Sequence, residues 1–204
     1  MMPIRLCGVA CALCFGHAVL GSIVNGGFEP TPGSDVPAYL TLGGGSTAIN
    51  GWTTTDMGVE WFVPSAFGLT NSSNGGWVLD LASNSFFAGG VTQTFATDVN
   101  TSYRVDFEFA SHRASGRDGT AEIVVSAAGT SQLFSISNSS SNTLWESRSF
   151  TFIATSTSTT LSFRNTQSAV EHFAYIDGVS MVPAPGAVHI GVLAGIGCLR
   201  RPRR

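Results

Sequence analysis

The chain has 204 residues, only 11% of them charged, with 24 Gly and many Ser and Thr; this composition fits one exported β-rich domain with terminal extras. It contains no Lys, and five of its ten Arg lie at positions 5, 200, 201, 203 and 204, so residues 22–182 carry five Arg against thirteen acidic residues, a formal charge of −8. Such a surface repels nucleic acid, which is excluded as a partner. Cys7, Cys11 and Cys14 lie at the start and Cys198 near the end, so the span between them can hold no disulfide, thiol nucleophile or Cys-based zinc site.

Residues 1–21 read as a secretory signal peptide: a short start with Arg5, an apolar run from Leu6 to Phe15, then small residues. The run is too short to span a bilayer, and cleavage is expected between Ala18 and Ile23. Neither Cys11 nor Cys14 has a Leu three residues before it, so lipidation is not expected.

Residues 23–29, IVNGGFE, read as a short first strand running into a Gly turn and an acidic residue. Residues 30–50 follow as a long loop in which Pro30, Pro32, Pro37 and the Gly43 to Gly45 run forbid regular structure. Four large aromatics, Trp52, Trp61, Phe62 and Phe67, then precede Trp77. Aromatic rings serve both core packing and sugar stacking. Trp52 and Trp77 are assigned to the core, while Trp61 and the Phe86–Phe87 pair, set among Ser, Asn and Gly, are assigned to the surface.

Residues 89–110 carry the strongest pattern. Val91, Gln93 and Phe95 alternate with Thr92, Thr94 and Ala96, and Tyr103, Val105, Phe107 and Phe109 alternate with polar or small residues, with turn formers at 98–102 between. This predicts two strands closing as an antiparallel hairpin with one apolar face, which demands a second sheet. The next loop, SHRASGRDG at 111–119, gathers His112, Arg113, Arg117 and Asp118. His and Arg there could hydrogen-bond sugar hydroxyls or grip carboxylates. Further strands are predicted at 120–127, 132–136, 146–153, 159–164 and 173–182, a spacing that suits a jelly roll.

No G-x-S-x-G, H-E-x-x-H, P-loop or G-x-G-x-x-G pattern follows the expected elements. Asp106 and Glu108 share one strand face at roughly 7 Å, a separation compatible with a glycosidase pair. They read more simply as the wet side of the hairpin, and the chain is not expected to be an enzyme.

The opening N-G-G-F-E, Trp52, Val59-Glu60-Trp61, Val78-Leu79-Asp80-Leu81, G-G-V-T-Q-T-F at 89–95 and Tyr175-Ile176-Asp177-Gly178-Val179-Ser180, in this order, resemble the galactose-binding-like jelly rolls. The resemblance is closest to exported bacterial choice-of-anchor proteins and the related plant cell-wall proteins. It implies an all-β jelly-roll β-sandwich over 22–182 and a structural Ca²⁺ held by Glu29 and Asp177, hard oxygen donors. The family's frequent second Asp is replaced here by Gly178.

Residues 183–204 run from Pro183 and Pro185 through an apolar segment to Arg200, Arg201, Arg203 and Arg204. This resembles a PEP-CTERM sorting signal, with Ala184 at its usual Glu. The fourteen residues 186–199, read as a short hydrophobic transmembrane helix, reach ~21 Å against a hydrocarbon core of ~30 Å. That length implies transient membrane association, and the resemblance implies cleavage by a sorting protease of the exosortase type. The expectation is an exported cell-surface or extracellular-matrix protein of a bacterium that binds carbohydrate through Trp61, Phe87, His112 and Arg113. The alternatives are a structural matrix component and, last, a hydrolase.

Overall fold

A computed structural model describes residues 21–82, 88–168 and 171–184. Two antiparallel sheets form an all-β jelly-roll sandwich. Its strands are β1 (Tyr39–Leu42), β2 (Thr53–Asp56), β3 (Val59–Phe62), β4 (Val78–Asp80), β5 (Gly89–Ala96), β6 (Ser102–Ser111), β7 (Thr120–Ala127), β8 (Thr130–Ser137), β9 (Leu144–Ile153), β10 (Ser158–Asn165) and β11 (Tyr175–Pro183). One sheet has the order β1-β3-β4-β11-β6-β9 and the other β2-β5-β10-β7-β8.

Period-2 alternation builds the core between them. Tyr103, Val105, Phe107 and Phe109 of β6 point inward beside Phe150 and Phe152 of β9, and face Ile123, Val125, Leu161 and Phe163 of the other sheet. Phe107 bridges the sheets, its ring edge-on to Phe134 and to Phe163 at 5.1 Å each. Each such buried ring contributes about 1.5–3 kcal/mol.

Three expectations are corrected. The two alternating runs at 89–110 do not pair as a hairpin: β5 pairs with β2 and β10, and β6 with β9 and β11, in different sheets. Their connection arches over the core instead, with Thr97 and Asn100 donating to the carbonyls of Thr157 and Ala154. Residues 23–29 form a turn, not a strand, with Asn25 and Phe28 at positive φ. The Gln93 amide accepts from the Val24 N–H and donates to the Val24 carbonyl, standing in for a strand partner. Within 30–50, residues expected to lack regular structure include β1, a four-residue edge strand on β3.

At the C-terminal end β11 includes Pro183, opposite Tyr103 of β6, so this residue of the expected sorting segment closes the sandwich. Pro185, Arg200, Arg201 and the expected signal peptide and hydrophobic helix lie outside the described residues. Among the described residues no helix is long and apolar enough to cross a membrane.

Candidate functional site: an aromatic cleft on the six-stranded sheet

The outer face of the six-stranded sheet is not simply wet. On β3, Val59 and Trp61 point into the core, which turns Glu60 and Phe62 outward; on β4, Val78 and Asp80 are outward, and on β11 Tyr175. All are nonetheless buried, because residues 63–77 cross this face as a strap.

The strap is fastened at both edges. A 3₁₀ turn at Pro64–Phe67 ends on Gly68 at φ +71°, and from there the chain crosses toward β9. The Thr70 carbonyl accepts from the Trp145 indole at 2.9 Å and from the Thr143 hydroxyl at 2.6 Å, and the Thr70 N–H donates to Asn142 Oδ1 at 2.8 Å. On the way back Ser72 donates to Asp177, Ser73 donates to Glu108 from its N–H and hydroxyl, and the N–H groups of Gly76 and Trp77 donate to Glu29 Oε1.

The strap divides the face into two depressions. The first is a cleft of about 340 Å³ walled by Tyr39, Phe62, Phe67, Leu69, Phe173 and Tyr175, with Glu60 and His112 in its lining. The second, about 330 Å³, is polar and lined among others by Ser73, Asn74, Asp106, Glu108, Ser147 and Ser180.

Ionisable groups in and beside the cleft sit in unusual states. Asp80 is buried beside Glu60 and Tyr175 in register, and its Oδ1 accepts from the N–H groups of Ala82 and Ala174. Burial, reinforced by the Glu60 charge, pushes its carboxyl up to about 7. Burial, then the same carboxylates, also raises the Tyr175 phenol. His112 stacks on Phe173 at 4.3 Å and 10°, and on Tyr175 at 5.5 Å. Burial, with Arg117 nearby, lowers it to about 4, so its imidazole is neutral at physiological pH. The Arg117 guanidinium covers the Phe173 ring, 3.9 Å from its centroid.

The described members of the expected ligand set, Trp61, His112 and Arg113, do not share one surface. Trp61, assigned to the surface, is 2% exposed: its ring packs on Trp77 at 4.8 Å and its Nε1 donates to the Phe28 carbonyl. It is a core residue, as Trp52 is, while Trp77 is half-buried against the same core. Phe87 lies outside the described residues. His112 is 4% exposed and lines the cleft, whereas Arg113 is exposed on the loop beside it. Composition missed Tyr39, Glu60, Phe62, Asp80, Phe173 and Tyr175. The available signal was an acid embedded in each of two apolar strands, VEWF and VLD.

Glu29 and Asp177 do meet at one end of the sheet, on either side of the strap. Asp177 is fully buried, and burial, with the negative charges of Glu108 and Glu29, pushes it up to about 7 against the lowering effect of its Ser72 and Gly178 hydrogen bonds. The Asn74 carbonyl and Asp177 Oδ1 lie 3.4 and 3.9 Å from where a Cβ on Gly27 would stand. Oxygen donors of the kind a hard cation takes are present here, but Asp177 Oδ1 already accepts from the Gly178 N–H and Glu29 Oε1 from the N–H groups of Gly76 and Trp77, and among the described residues no three acidic or imidazole groups converge as a metal cluster. Asp106 pairs with Arg104 at 2.9 Å and Glu108 holds the strap.

The DUF642 family, described as proteins of unknown function, matches residues 21–181. The chain belongs to this family. None of the curated proteins matches it. Among solved structures, TmCBM61 in complex with β-1,4-galactotriose is 14% identical over 66% of this chain and 89% of that one, with a TM-score of 0.47. A native family 35 carbohydrate-binding module from Clostridium thermocellum is 9% identical over 72% of this chain and 100% of that one, TM-score 0.45. The arabinose-bound MgGH51 α-L-arabinofuranosidase is 12% identical, with a TM-score of 0.50 over 80% of this chain but 26% of that one. This last likeness is one of fold.

Proposed function

We propose that this DUF642 domain is an exported carbohydrate-binding module whose site is the aromatic cleft. The carrying observation is the convergence of Tyr39, Phe62, Phe67, Phe173 and Tyr175 around Glu60 in one opening of about 340 Å³. Aromatic faces stack on the C–H faces of sugar rings, and a carboxylate accepts hydrogen bonds from hydroxyls. An opening of this size falls within the range of small-ligand pockets, ~300–1,000 Å³. Binding is favoured over hydrolysis because Asp106 and Glu108, the spaced carboxyl pair, are engaged by Arg104 and the strap.

Phe67 tests the site, being 56% exposed and therefore removable without cutting into the core. Phe67→Ala should weaken retention on the bound polysaccharide about three- to tenfold, the worth of one aromatic contact. Unchanged retention of both Phe67→Ala and Tyr39→Ala, with the fold intact, refutes the cleft as the site.

Export and sorting belong to the same proposal. The apolar start at 1–21 delivers the chain, and the tail from Pro185 to the Arg cluster directs it to the envelope or matrix of a bacterium through an exosortase-type protease. Support comes from the residue pattern: an apolar run too short for a comfortable span, followed by four Arg that resist translocation. Intact mass spectrometry of the surface protein should show the loss of both ends; a species still carrying residues 186–204 refutes processing.

A further inference from the structure

We infer that the glycan held in the aromatic cleft carries an anionic group, a uronate carboxylate or a sulfate, which is bound by Arg113 in the adjoining depression. This rests on the carbohydrate reading of the cleft and names the class of glycan. The depression is about 600 Å³ and is lined by Arg113, Arg117, Asp118 and Ser139; Ala114, Ser115 and Ser141 line both it and the cleft, so the two openings adjoin.

The arginines of the described residues sort by what they touch. Arg104 is paired with Asp106 at 2.9 Å, Arg164 with Asp56 at 2.9 Å, and Arg148 with Glu146. Arg117 lies on the Phe173 ring. Arg113 alone has an exposed side chain that meets no acidic or aromatic partner among the described residues, while its backbone N–H is fixed to the Ser140 carbonyl at 2.7 Å. Asp118 shares the depression, its Oδ1 accepting from the N–H and hydroxyl of Thr120 and facing His172, so two guanidinium groups stand against one carboxylate in the lining. In a domain with an excess of acid, a free guanidinium beside a ligand cleft is a specific feature, and its planar fork matches a carboxylate or sulfate.

The opposite end of the groove fixes the ligand's polarity. Glu60 lines the cleft, with Asp80 buried beside it in register, and a carboxyl group at this end disfavours an anion there. A glycan therefore places a neutral ring on the aromatics and its acidic group over Arg113. A wholly neutral glycan leaves Arg113 unused.

The experiment uses the full chain and uronic-acid oligosaccharides, each paired with its carboxyl-reduced counterpart, measured by calorimetry at low salt. The acidic member of the bound pair should bind about fivefold more tightly, the worth of one well-aligned exposed ion pair. The advantage should fade with added salt and disappear in Arg113→Ala, persist in part in Arg113→Lys, and be untouched in Arg148→Ala. Equal binding of the two members by the wild type, or a preference that survives Arg113→Ala, overturns this inference and leaves the carbohydrate reading standing. Failure to bind either member on any backbone overturns the carbohydrate reading itself.

Discussion

The indole Nε1 of Trp61 donates to the carbonyl oxygen of Phe28 at 2.7 Å, fastening β3 to the turn that opens the domain. Phe28 sits at φ +53° and is fully buried, so its carbonyl has no water to turn to. A second indole does the same work one turn earlier, Trp52 Nε1 donating to the Asn25 carbonyl at 2.9 Å while its ring packs on Phe28 at 5.2 Å.

Trp61 is therefore a stability residue. Trp61→Phe keeps an aromatic volume but orphans a buried acceptor and should cost about 1–3 kcal/mol; Trp61→Ala adds a cavity and should cost about 3–5 kcal/mol. Urea unfolding measures both. If Trp61→Phe unfolds at the wild-type midpoint, the hydrogen bond contributes nothing.

The same residue shows what could be read from the chain beforehand. The sandwich was legible because alternation in β6, β7 and β10 registers burial on one face. In VEWF all four residues are buried, so no amphipathic signal separates Trp61 from Phe62. Only parity does: Trp61 shares a face with Val59, and Phe62 with Glu60. Pairing was illegible for a different reason. Alternation in β5 and β6 states which side is apolar and is silent on the partner, so an arch between sheets and a hairpin look alike. The cleft was hidden because its walls come from four distant segments, β1, β3, the strap and β11 with its preceding loop, joined by strand order.

Asp80 should make the domain more stable in mild acid. Its carboxyl is raised from 3.8 to about 7 by burial and by Glu60, so between those values the folded state holds a proton that the unfolded state has lost. Stability from this group is complete below pH ~4 and falls as pH rises through about 7. His112 works against it over part of that range: lowered to about 4, it withdraws stability as pH falls from about 6.5 toward 4. Asp80→Asn keeps an acceptor for Ala82 and Ala174 while removing the buried charge. At pH 8 it should unfold later than wild type, by an amount on the order of 1–4 kcal/mol, and the gap should close toward pH 5. A gap that is constant with pH assigns the effect to something other than this proton.

Calcium binding at Asp177 is a proposal with its own pH signature. A cation there relieves the repulsion of Glu29 and Glu108 but requires the Asp177 carboxylate, which burial holds near 7. Calcium at ~100 times its Kd adds about 2.7 kcal/mol to the folded state. The rise in Tm should thus be larger at pH 8 than at pH 6 and absent in Asp177→Asn. Equal Tm with calcium and with chelator at pH 8 refutes the site.

Gly178 decides whether the family's second Asp could be restored. Asp177 stands opposite Glu108 and Ser180 opposite Asp106, so β11 carries one extra residue against β6, a bulge in which Gly178 takes φ +61°. A Cβ there would stand 2.1 Å from Asn74 Nδ2. Two separate costs follow: the left-handed backbone, about 1 kcal/mol for a residue other than Gly, and a collision with a side chain on the strap. Gly178→Asp should therefore destabilise the domain in the absence of metal. Removing the obstacle separates the terms, because in an Asn74→Ala background only the backbone cost remains. Chemical denaturation of the double-mutant cycle should show Gly178→Ala costing clearly more with Asn74 present than without it. Equal costs in the two backgrounds would mean that the strap shifts freely at Asn74 and does not fix the bulge.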